Sequence, residues 1–251
     1  MSFGAIIIGD EILSGKRQDG HLARTIAALG TRGLQLAWCC YLGDDPELIA
    51  ATFRRTFDSG DAVFSFGGIG ATPDDHTRAA AARAAGVTLK LHPDAEAEIR
   101  ARFVNDPNGV TPQRLRMGEF PAGSAIIPNP YNRIPGFSFK RHHFLPGFPQ
   151  MAWPMMEWVL DTHYRDQFAP GSIAESSIIV REAGESQLID LMNVCQSRFP
   201  LIKVFSLPRL EPDRHIELGA RGAPGEVQGA IAALKQGVSV LGFPWTESRG
   251  A

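Results

Sequence analysis

The sequence predicts a three-layer α/β/α domain with a mostly parallel sheet, followed by a small α+β domain. Two observations lead to this prediction. Short apolar runs alternate with helical patterns through the first half of the chain, which is typical of parallel βαβ units. Beyond residue 172 the order becomes strand, helix, strand, strand, helix, and residues 165–172 read as a linker. We therefore predict a first domain over residues 1–166 and a second over residues 172–251.

The strands of the first domain are predicted from apolar runs that turn residues interrupt. They are residues 5–8, 34–42, 62–66, 87–91, 125–127 and 137–145. The last run carries His142 and His143, which we expect to be a core or surface pair, because no third metal ligand is near in sequence. Residues 105–135 are rich in Pro, Gly and Asn, and a loop of that length inside a domain is usually functional.

The helices are predicted from apolar residues at helical spacing and from capping signals. Leu22, Ile26 and Leu29 share one face of the first helix, and Asp45 is the predicted N-cap of the second. The remaining helices of the first domain are predicted at residues 77–86, 93–103 and 149–164. Pro154 lies inside the last of them, so we expect a kink or a later start there.

The second domain is predicted as a βαββα unit without a polar cluster that would indicate catalysis. Its strands are residues 176–183, 202–207 and 215–222, and its helices are residues 185–199 and 224–241.

Composition and charge narrow the range of functions. Of the 251 residues, 44% are hydrophobic and 21% charged, which is the balance of a soluble globular protein. The net charge of −2 lacks the basic excess of nucleic-acid-binding proteins, and no apolar run approaches the ~20 residues of a membrane span. We therefore expect neither nucleic acid nor membrane as a partner. Three cysteines without paired spacing favour the reducing cytoplasm.

The third strand ends in a glycine-rich segment, GGIGATPDDHT, at residues 67–77. It is not a dinucleotide-binding turn, because Pro73 stands where G-x-G-x-x-G needs its last glycine. The segment after the first strand is not a P-loop, since five residues separate its glycines and Arg17 follows Lys16. Both common glycine signatures are therefore excluded.

Acidic pairs follow each of the first three strands, at residues 10–11, 44–45 and 74–75. The carboxyl ends of parallel strands lie along one edge of the sheet, where α/β proteins bind ligands. Each pair alone is explained by helix capping or a solvated turn, and capping is the commoner role of Thr-Pro-Asp-Asp before a helix. Three pairs at one edge, one of them directly after glycine backbone, favour a binding site.

Carboxylates next to a glycine turn indicate a metal-bridged anion. They repel a bare phosphate, but they hold Mg²⁺ or a similar hard cation that bridges to it. Glycine N–H groups then supply the other side of the phosphate's shell. The expected ligand is an adenylylated or pyrophosphate-containing small molecule.

These motifs resemble the molybdopterin-binding (MoaB/MogA-type) domain family, and most closely the N-terminal region of CinA, the competence/damage-inducible proteins. The matching segments are IIIGDEILSGKRQD, YLGDD, GGIGATPDDHT, PNPYNRIPG and LPGFPQM. They cover residues 3–160 in the family's order, and the tail resembles the small second domain of CinA proteins. The resemblance implies a homo-oligomer, either a dimer or a trimer. We expect the chain to lack the C-terminal deamidase domain of full-length CinA.

The resemblance also implies a pocket for a pterin or nucleotide phosphate. In CinA-like relatives such a site hydrolyses the pyrophosphate of ADP-ribose with a divalent metal. In relatives of molybdenum cofactor biosynthesis it adenylylates molybdopterin with ATP and Mg²⁺. We therefore expect a metal-dependent pyrophosphate hydrolase. Two alternatives stay open: a protein that adenylylates molybdopterin, and a module that binds such a ligand without catalysing a reaction.

Residue roles follow from the same resemblance. Asp75 matches the family's catalytic aspartate, with Asp74 beside it, and both are expected to hold the metal. The expected ligand-binding positions are Gly67, Gly68, Gly70, Thr72, Asp10, Glu11, Asp44, Asn129, Pro130 and Gly136. Two departures bear on the pocket: residues 19–21 read Asp-Gly-His where the family often has Asp-Thr-Asn, and Arg133 replaces a small residue. We expect Arg133 to bind phosphate or to fill the pocket.

Overall fold

The computed structural model describes residues 1–248 and divides the chain into two compact units, Met1–Phe168 and Ala169–Ala251. The last residues of the predicted second domain, 249–251, lie outside the described residues. None of the described helices combines the length and the apolar composition that crossing a membrane requires.

The first unit contains eight strands and seven α-helices among the described residues. The strands are β1 (Phe3–Ile8), β2 (Leu36–Leu42), β3 (Ala62–Phe66), β4 (Leu89–Leu91), β5 (Glu119–Pro121), β6 (Ala125–Ile127), β7 (Gly136–Phe139) and β8 (His142–Leu145). The helices are α1 (Asp10–Leu13), α2 (His21–Gly30), α3 (Pro46–Phe57), α4 (Thr77–Ala85), α5 (Pro93–Arg102), α6 (Pro112–Arg116) and α7 (Pro149–His163).

The main sheet has six strands in the order β2-β1-β3-β8-β7-β6. The first four strands are parallel to one another. Strand β7 pairs antiparallel with β8, and β6 pairs antiparallel with β7. Alternate residues of the central strands pack on opposite faces: Phe3 and Ile7 against α2 and α7, Ile6 and Ile8 against α3, α4 and α5. A sheet covered on both faces needs continuous apolar strands, and all six residues of β1 are buried. The predicted three-layer class is confirmed.

Two predicted strands differ from the observed ones. The run 137–145 is a hairpin, because Lys140 and Arg141 both have positive φ, 51° and 61°, and two such residues form the tight turn that reverses a strand. The run 87–91 contributes β4, which pairs with β5 in a separate two-stranded sheet. The parallel series therefore ends with β3 and resumes only at β8.

Two helix predictions are also corrected. Leu29 is buried and Leu22 packs against the same cluster, as predicted, but Ile26 is 52% exposed and Ala28 is buried in its place. Helix α7 begins at Pro149 and runs through Pro154, so the later start is wrong. A proline at that position removes the hydrogen bond to the carbonyl four residues earlier and crowds that carbonyl, but buried Met155 and Met156 hold the helix on the sheet.

The second unit is a ferredoxin-like βαββαβ arrangement. Its elements are β9 (Ala174–Val180), α8 (Ile189–Arg198), β10 (Lys203–Arg209), β11 (His215–Gly222), α9 (Pro224–Val240) and β12 (Trp245–Glu247). The antiparallel sheet has the order β10-β11-β9-β12, which is the split βαβ topology. The predicted α+β unit is confirmed, and the sequence analysis missed the short β12. Helix α8 begins at Ile189, later than predicted, after a 3₁₀ turn at Glu185–Gln187.

Candidate functional site

The candidate site lies at the carboxyl edge of the main sheet. Ile8 pairs with Leu42, and Ile7 pairs with Phe66, so the segments that follow β1, β2 and β3 are neighbours at one edge. A backbone bond of 3.0 Å from Gly9 N–H to the Leu42 carbonyl holds the first two together. The parallel register thus brings the three acidic segments to one place, as predicted.

A cavity of about 420 Å³ opens at this edge. Nine of the predicted site residues line it: Glu11, Asp44, Gly67, Gly68, Gly70, Thr72, Asp74, Asp75 and Asn129. Its remaining wall includes Arg17, Met117, Asn132, Ile134, Phe148 and Met151. The cavity therefore has an acidic, glycine-rich part and an apolar part.

The glycine turn, residues 67–70, directs its carbonyl oxygens toward α4. The Thr77 hydroxyl donates to the Gly67 carbonyl at 2.9 Å, and the Thr77 N–H donates to the Gly68 carbonyl at 3.0 Å. The Arg78 guanidinium donates to the next two carbonyls of the turn. Gly68 has a φ of 68°, and a Cβ there would lie 2.3 Å from the Thr77 hydroxyl oxygen. Only glycine allows this close approach.

The amides of the glycine turn remain available. Within residues 1–248, the N–H groups of Gly68, Ile69, Gly70 and Ala71 donate to no other protein atom, and all four residues line the cavity. A run of unpaired backbone donors in a concave surface is an anion-binding arrangement. The turn therefore presents hydrogen-bond donors to a ligand.

Asp75 shapes the segment that follows the turn. Its Oδ2 accepts hydrogen bonds from the Thr72 N–H at 2.8 Å and from the Thr72 hydroxyl at 2.5 Å. Neither Asp74 nor Asp75 caps α4, whose N-cap is His76 without a side-chain hydrogen bond. The capping explanation of these two carboxylates is therefore wrong. It holds for Asp45, which accepts from two amides at the start of α3.

The acids after β1 and β2 interact directly. The Asp10 N–H donates to Asp44 Oδ2 at 2.9 Å, and the Asp44 N–H donates to Asp10 Oδ1 at 3.1 Å. Burial raises the pKa of Asp44, and the negative charges of Asp10, Glu11 and Asp74 raise it further. Like charges that disfavour one another's ionised form favour a cation in their midst.

The described side chains do not by themselves form a complete metal site. Among residues 1–248, no group of three or more His, Cys, Asp or Glu side chains is arranged to hold a metal ion. Mg²⁺ is commonly held by one or two carboxylates together with substrate phosphates and water. The carboxylates present fit a cation that the ligand helps to bind, and they do not form a closed metal cage.

Three predicted ligand-binding residues do not line the cavity. Asp10 binds the backbone of Asp44, Pro130 is exposed, and Gly136 lies within β7. Close packing against β8 requires glycine at residue 136, because a Cβ there would lie 2.3 Å from the Phe144 carbonyl oxygen.

Asn129 lines the cavity, but hydrogen bonds within its own loop occupy its amide. Nδ2 donates to Asn132 Oδ1 at 2.8 Å and to the Ile134 carbonyl at 2.9 Å, and Oδ1 accepts from the Tyr131 N–H at 3.0 Å. It therefore fixes the shape of the loop, which is a different role from the predicted contact with ligand.

Arg133 neither fills the cavity nor reaches its wall. Its guanidinium donates to both carboxylate oxygens of Glu98 on α5, at 2.8 and 3.1 Å, so the expected role is wrong. Residues 19–21, where the sequence also departs from the family pattern, do not line the cavity either. His21 is buried, stacks on Phe66, and contacts the Gly147 carbonyl oxygen at 3.3 Å.

The sequence analysis missed Arg17 as a cavity residue. Its N–H donates to the Glu11 carbonyl at 2.9 Å, so the chain folds back after α1 and returns to the cavity. There the guanidinium carbon lies 6.0 Å from the centre of the exposed Phe148 ring. The sequence signal that could have identified Arg17 is its positive charge within the GDEILSGKR segment, which matches the family.

Comparisons with known proteins agree with this architecture. A family described as "Probable molybdopterin binding domain" matches residues 4–165. A protein of Caldivirga maquilingensis is 31% identical over 246 residues, 93% of this chain and 94% of the relative. A CinA-like protein of Geobacter metallireducens is 35% identical over 161 residues, 62% of this chain but 39% of the relative. The crystal structure of CinA from Thermoplasma acidophilum, described as of unknown function, has a TM-score of 0.58 and 30% identity, covering 64% of this chain and 98% of that one.

Proposed function

Because this chain belongs to the probable molybdopterin-binding domain family, we propose that its cavity binds a nucleotide or pterin phosphate and hydrolyses a pyrophosphate bond. The substrate class we propose is an ADP-ribose-like molecule, with a divalent metal such as Mg²⁺. The observation that carries the proposal is one cavity lined both by the glycine turn, whose amides are unpaired among the described residues, and by Glu11, Asp44, Asp74 and Asp75.

The cavity suits both parts of such a ligand. The amides of residues 68–71 would bind phosphate oxygens, as helix N-termini and backbone nests do. Met117, Ile134, Phe148 and Met151 would contact a heteroaromatic ring, because ligand pockets combine apolar walls with a few polar groups. A volume of about 420 Å³ falls within the range of small-molecule sites.

The reaction needs a water molecule and a group that accepts its proton. The water oxygen would form a bond to one phosphorus atom while the bridging P–O bond breaks, which gives two monophosphates. Asp74 and the Oδ1 of Asp75 are the proposed metal ligands and proton acceptors, since Asp75 Oδ2 is engaged by Thr72. When bound, the metal would neutralise charge on the phosphate oxygens.

The second candidate is a module that binds a molybdopterin-like ligand without chemistry. It is favoured by the lack of a three-ligand metal cluster among residues 1–248. Both candidates require ligand binding at the glycine turn, and they differ only in turnover.

The proposal is tested by phosphorus NMR of ADP-ribose, FAD and ATP incubated with the protein and Mg²⁺, Mn²⁺ or Co²⁺. Asp75→Asn keeps an acceptor for Thr72 but removes the charge, so we expect hydrolysis to fall by about 10²- to 10⁴-fold, with ligand binding retained. The matched control is Asp166→Asn, an exposed residue away from the cavity. Binding of these nucleotides without turnover in the wild type would overturn hydrolysis and support a binding module, and failure to bind any of them would overturn the proposed hydrolase.

A further inference from the structure

Arg78 is a buried arginine directly behind the glycine turn. It is 7% exposed, in the first turn of α4. Arginine is almost never buried this deeply without a partner, yet among residues 1–248 no carboxylate lies within 4.0 Å of its guanidinium. Its hydrogen-bond partners are backbone carbonyls, and the more distant carboxylates of Glu119 and Asp75 also favour its charged form.

The guanidinium joins two segments of the cavity wall. On one side it donates to the carbonyls of Ile69 at 3.1 Å and Gly70 at 2.6 Å. On the other side it donates to the carbonyls of Arg116 and Glu119, which flank the cavity residue Met117. Only arginine offers five N–H donors in one rigid plane.

These hydrogen bonds fix the direction of two amides. In a trans peptide group the C=O and the following N–H point in opposite directions, because the group is planar. Holding the Ile69 and Gly70 carbonyls toward α4 therefore turns the N–H groups of Gly70 and Ala71 toward the cavity. Thr77 does the same for Gly68 and Ile69, through the carbonyls of residues 67 and 68.

We infer that Arg78 is a positioning residue for phosphate binding, which orients the amides of Gly70 and Ala71 and places a positive charge behind them. The inference rests on the proposed function in one respect, that the anion at the turn is a phosphate group. It assigns a role to a residue that cannot touch the ligand, because the turn lies between them. It also divides the four donors of the turn into two pairs, one held by Arg78 and the other by Thr77.

That division gives a test that a merely structural role does not predict. In ¹H–¹⁵N spectra, pyrophosphate added with Mg²⁺ is expected to shift all four amides of residues 68–71 downfield in the wild type. Arg78→Lys keeps the charge but not the planar set of donors, so the shifts of Gly70 and Ala71 are expected to be lost while those of Gly68 and Ile69 persist. Thr77→Val removes the hydroxyl bond to the Gly67 carbonyl but keeps the backbone bond to the Gly68 carbonyl, so only the shift of Gly68 is expected to be lost while those of Ile69, Gly70 and Ala71 persist.

Affinity supplies the second measurement. Calorimetric titration with pyrophosphate and Mg²⁺ is expected to show at least tenfold weaker binding to Arg78→Lys. The matched control is Arg83→Ala, on the same helix but with an exposed side chain paired to Glu47, and its affinity is expected to stay within twofold of the wild type. For Arg78→Ala, added guanidinium at millimolar concentration is expected to restore part of the affinity, whereas ammonium at the same concentration is not.

The outcomes separate this inference from the proposed function. Wild-type protein that binds no pyrophosphate overturns the proposed function and this inference with it. Wild-type binding that is unchanged in Arg78→Lys overturns the inference alone, as does an equal loss of all four amide shifts. If Arg78→Lys does not fold, guanidinium rescue of Arg78→Ala and the Thr77→Val spectra decide the question.

Discussion

Most polar side chains around the cavity bind the protein's own backbone. Asp75, Thr77, Arg78 and Asn129 each hold a turn or a loop in shape. The charged groups left facing the cavity are carboxylates and, among the described residues of its wall, one basic side chain, Arg17. At the residue scale, the proposed function therefore requires that backbone amides, a bridging cation and Arg17 bind the phosphate.

Replacing Arg17 tests this division of roles. Arg17→Ala is expected to weaken ADP-ribose binding by about fivefold, because an exposed charge–phosphate contact contributes on the order of 1 kcal/mol. The loss should shrink at high salt, since solvent ions screen an exposed charge. Calorimetric titration at two salt concentrations measures both effects. Lys16→Ala, at the neighbouring exposed position outside the cavity wall, is the control, and equal affinities of the two variants would contradict the assignment.

At the scale of elements, a capping signal placed the start of α3, whereas the capped helix α6 was missed inside the predicted loop. Asp45 and Pro46 begin α3 as predicted, because a cap acts through residues next to it in the chain. Strand boundaries depended on more distant partners. The reversal at Lys140 and Arg141 carries no glycine or asparagine, so the usual signal of a tight turn was missing.

The cap of α3 gives a prediction for stability. Asp45 Oδ1 accepts hydrogen bonds from the N–H groups of Glu47 and Leu48, at 2.8 and 3.1 Å. Asp45→Ala leaves both donors without a protein partner, so the free energy of unfolding is expected to fall by about 1 kcal/mol. Urea denaturation measures the change. Asp58→Ala, at the other end of the same helix, should have little effect, and an equal loss in both variants would argue against a capping contribution.

At the scale of the whole molecule, two buried histidines make stability depend on pH. The His142 ring bonds the Thr56 hydroxyl at 2.8 Å, and the His143 ring bonds Ser138 and Tyr164 at 2.8 and 2.7 Å. Burial lowers the pKa of both imidazoles to about 3, and the neighbouring histidines contribute to the shift of His143. Of the two expected alternatives, a core or a surface pair, the structure shows a core pair of buried, hydrogen-bonded rings within β8.

We predict that the protein loses stability as the pH falls from 6.5 toward 3. The unfolded chain binds protons on both imidazoles below about pH 6.5, whereas the folded protein does not until about pH 3. Each histidine therefore lowers the free energy of unfolding by about 1.4 kcal/mol per pH unit in that window. Urea denaturation at several pH values measures the slope. His143→Gln should reduce it by one histidine's share, and an unchanged slope would contradict the prediction.

The sequence by itself determined the alternation of strands and helices, the βαββα order of the tail and the glycine–acid motif. These are encoded in short-range periodicity and in backbone conformations that only certain residues can adopt. The conformation of Gly68 is the clearest example. The edge at which the acids meet also followed from sequence, because parallel strands fix where their carboxyl ends lie.

Only the tertiary structure decided which side chains reach the cavity and what each one binds. Arg17 returns to it through a folded-back turn, Arg133 pairs with Glu98 instead, and Arg78 lies behind the glycine turn. The physical reason is that the partners lie apart in sequence, by 35 residues for Arg133 and Glu98 and by 41 for Arg78 and Glu119. No local pattern records such a contact, because it exists only once the strands and helices have packed.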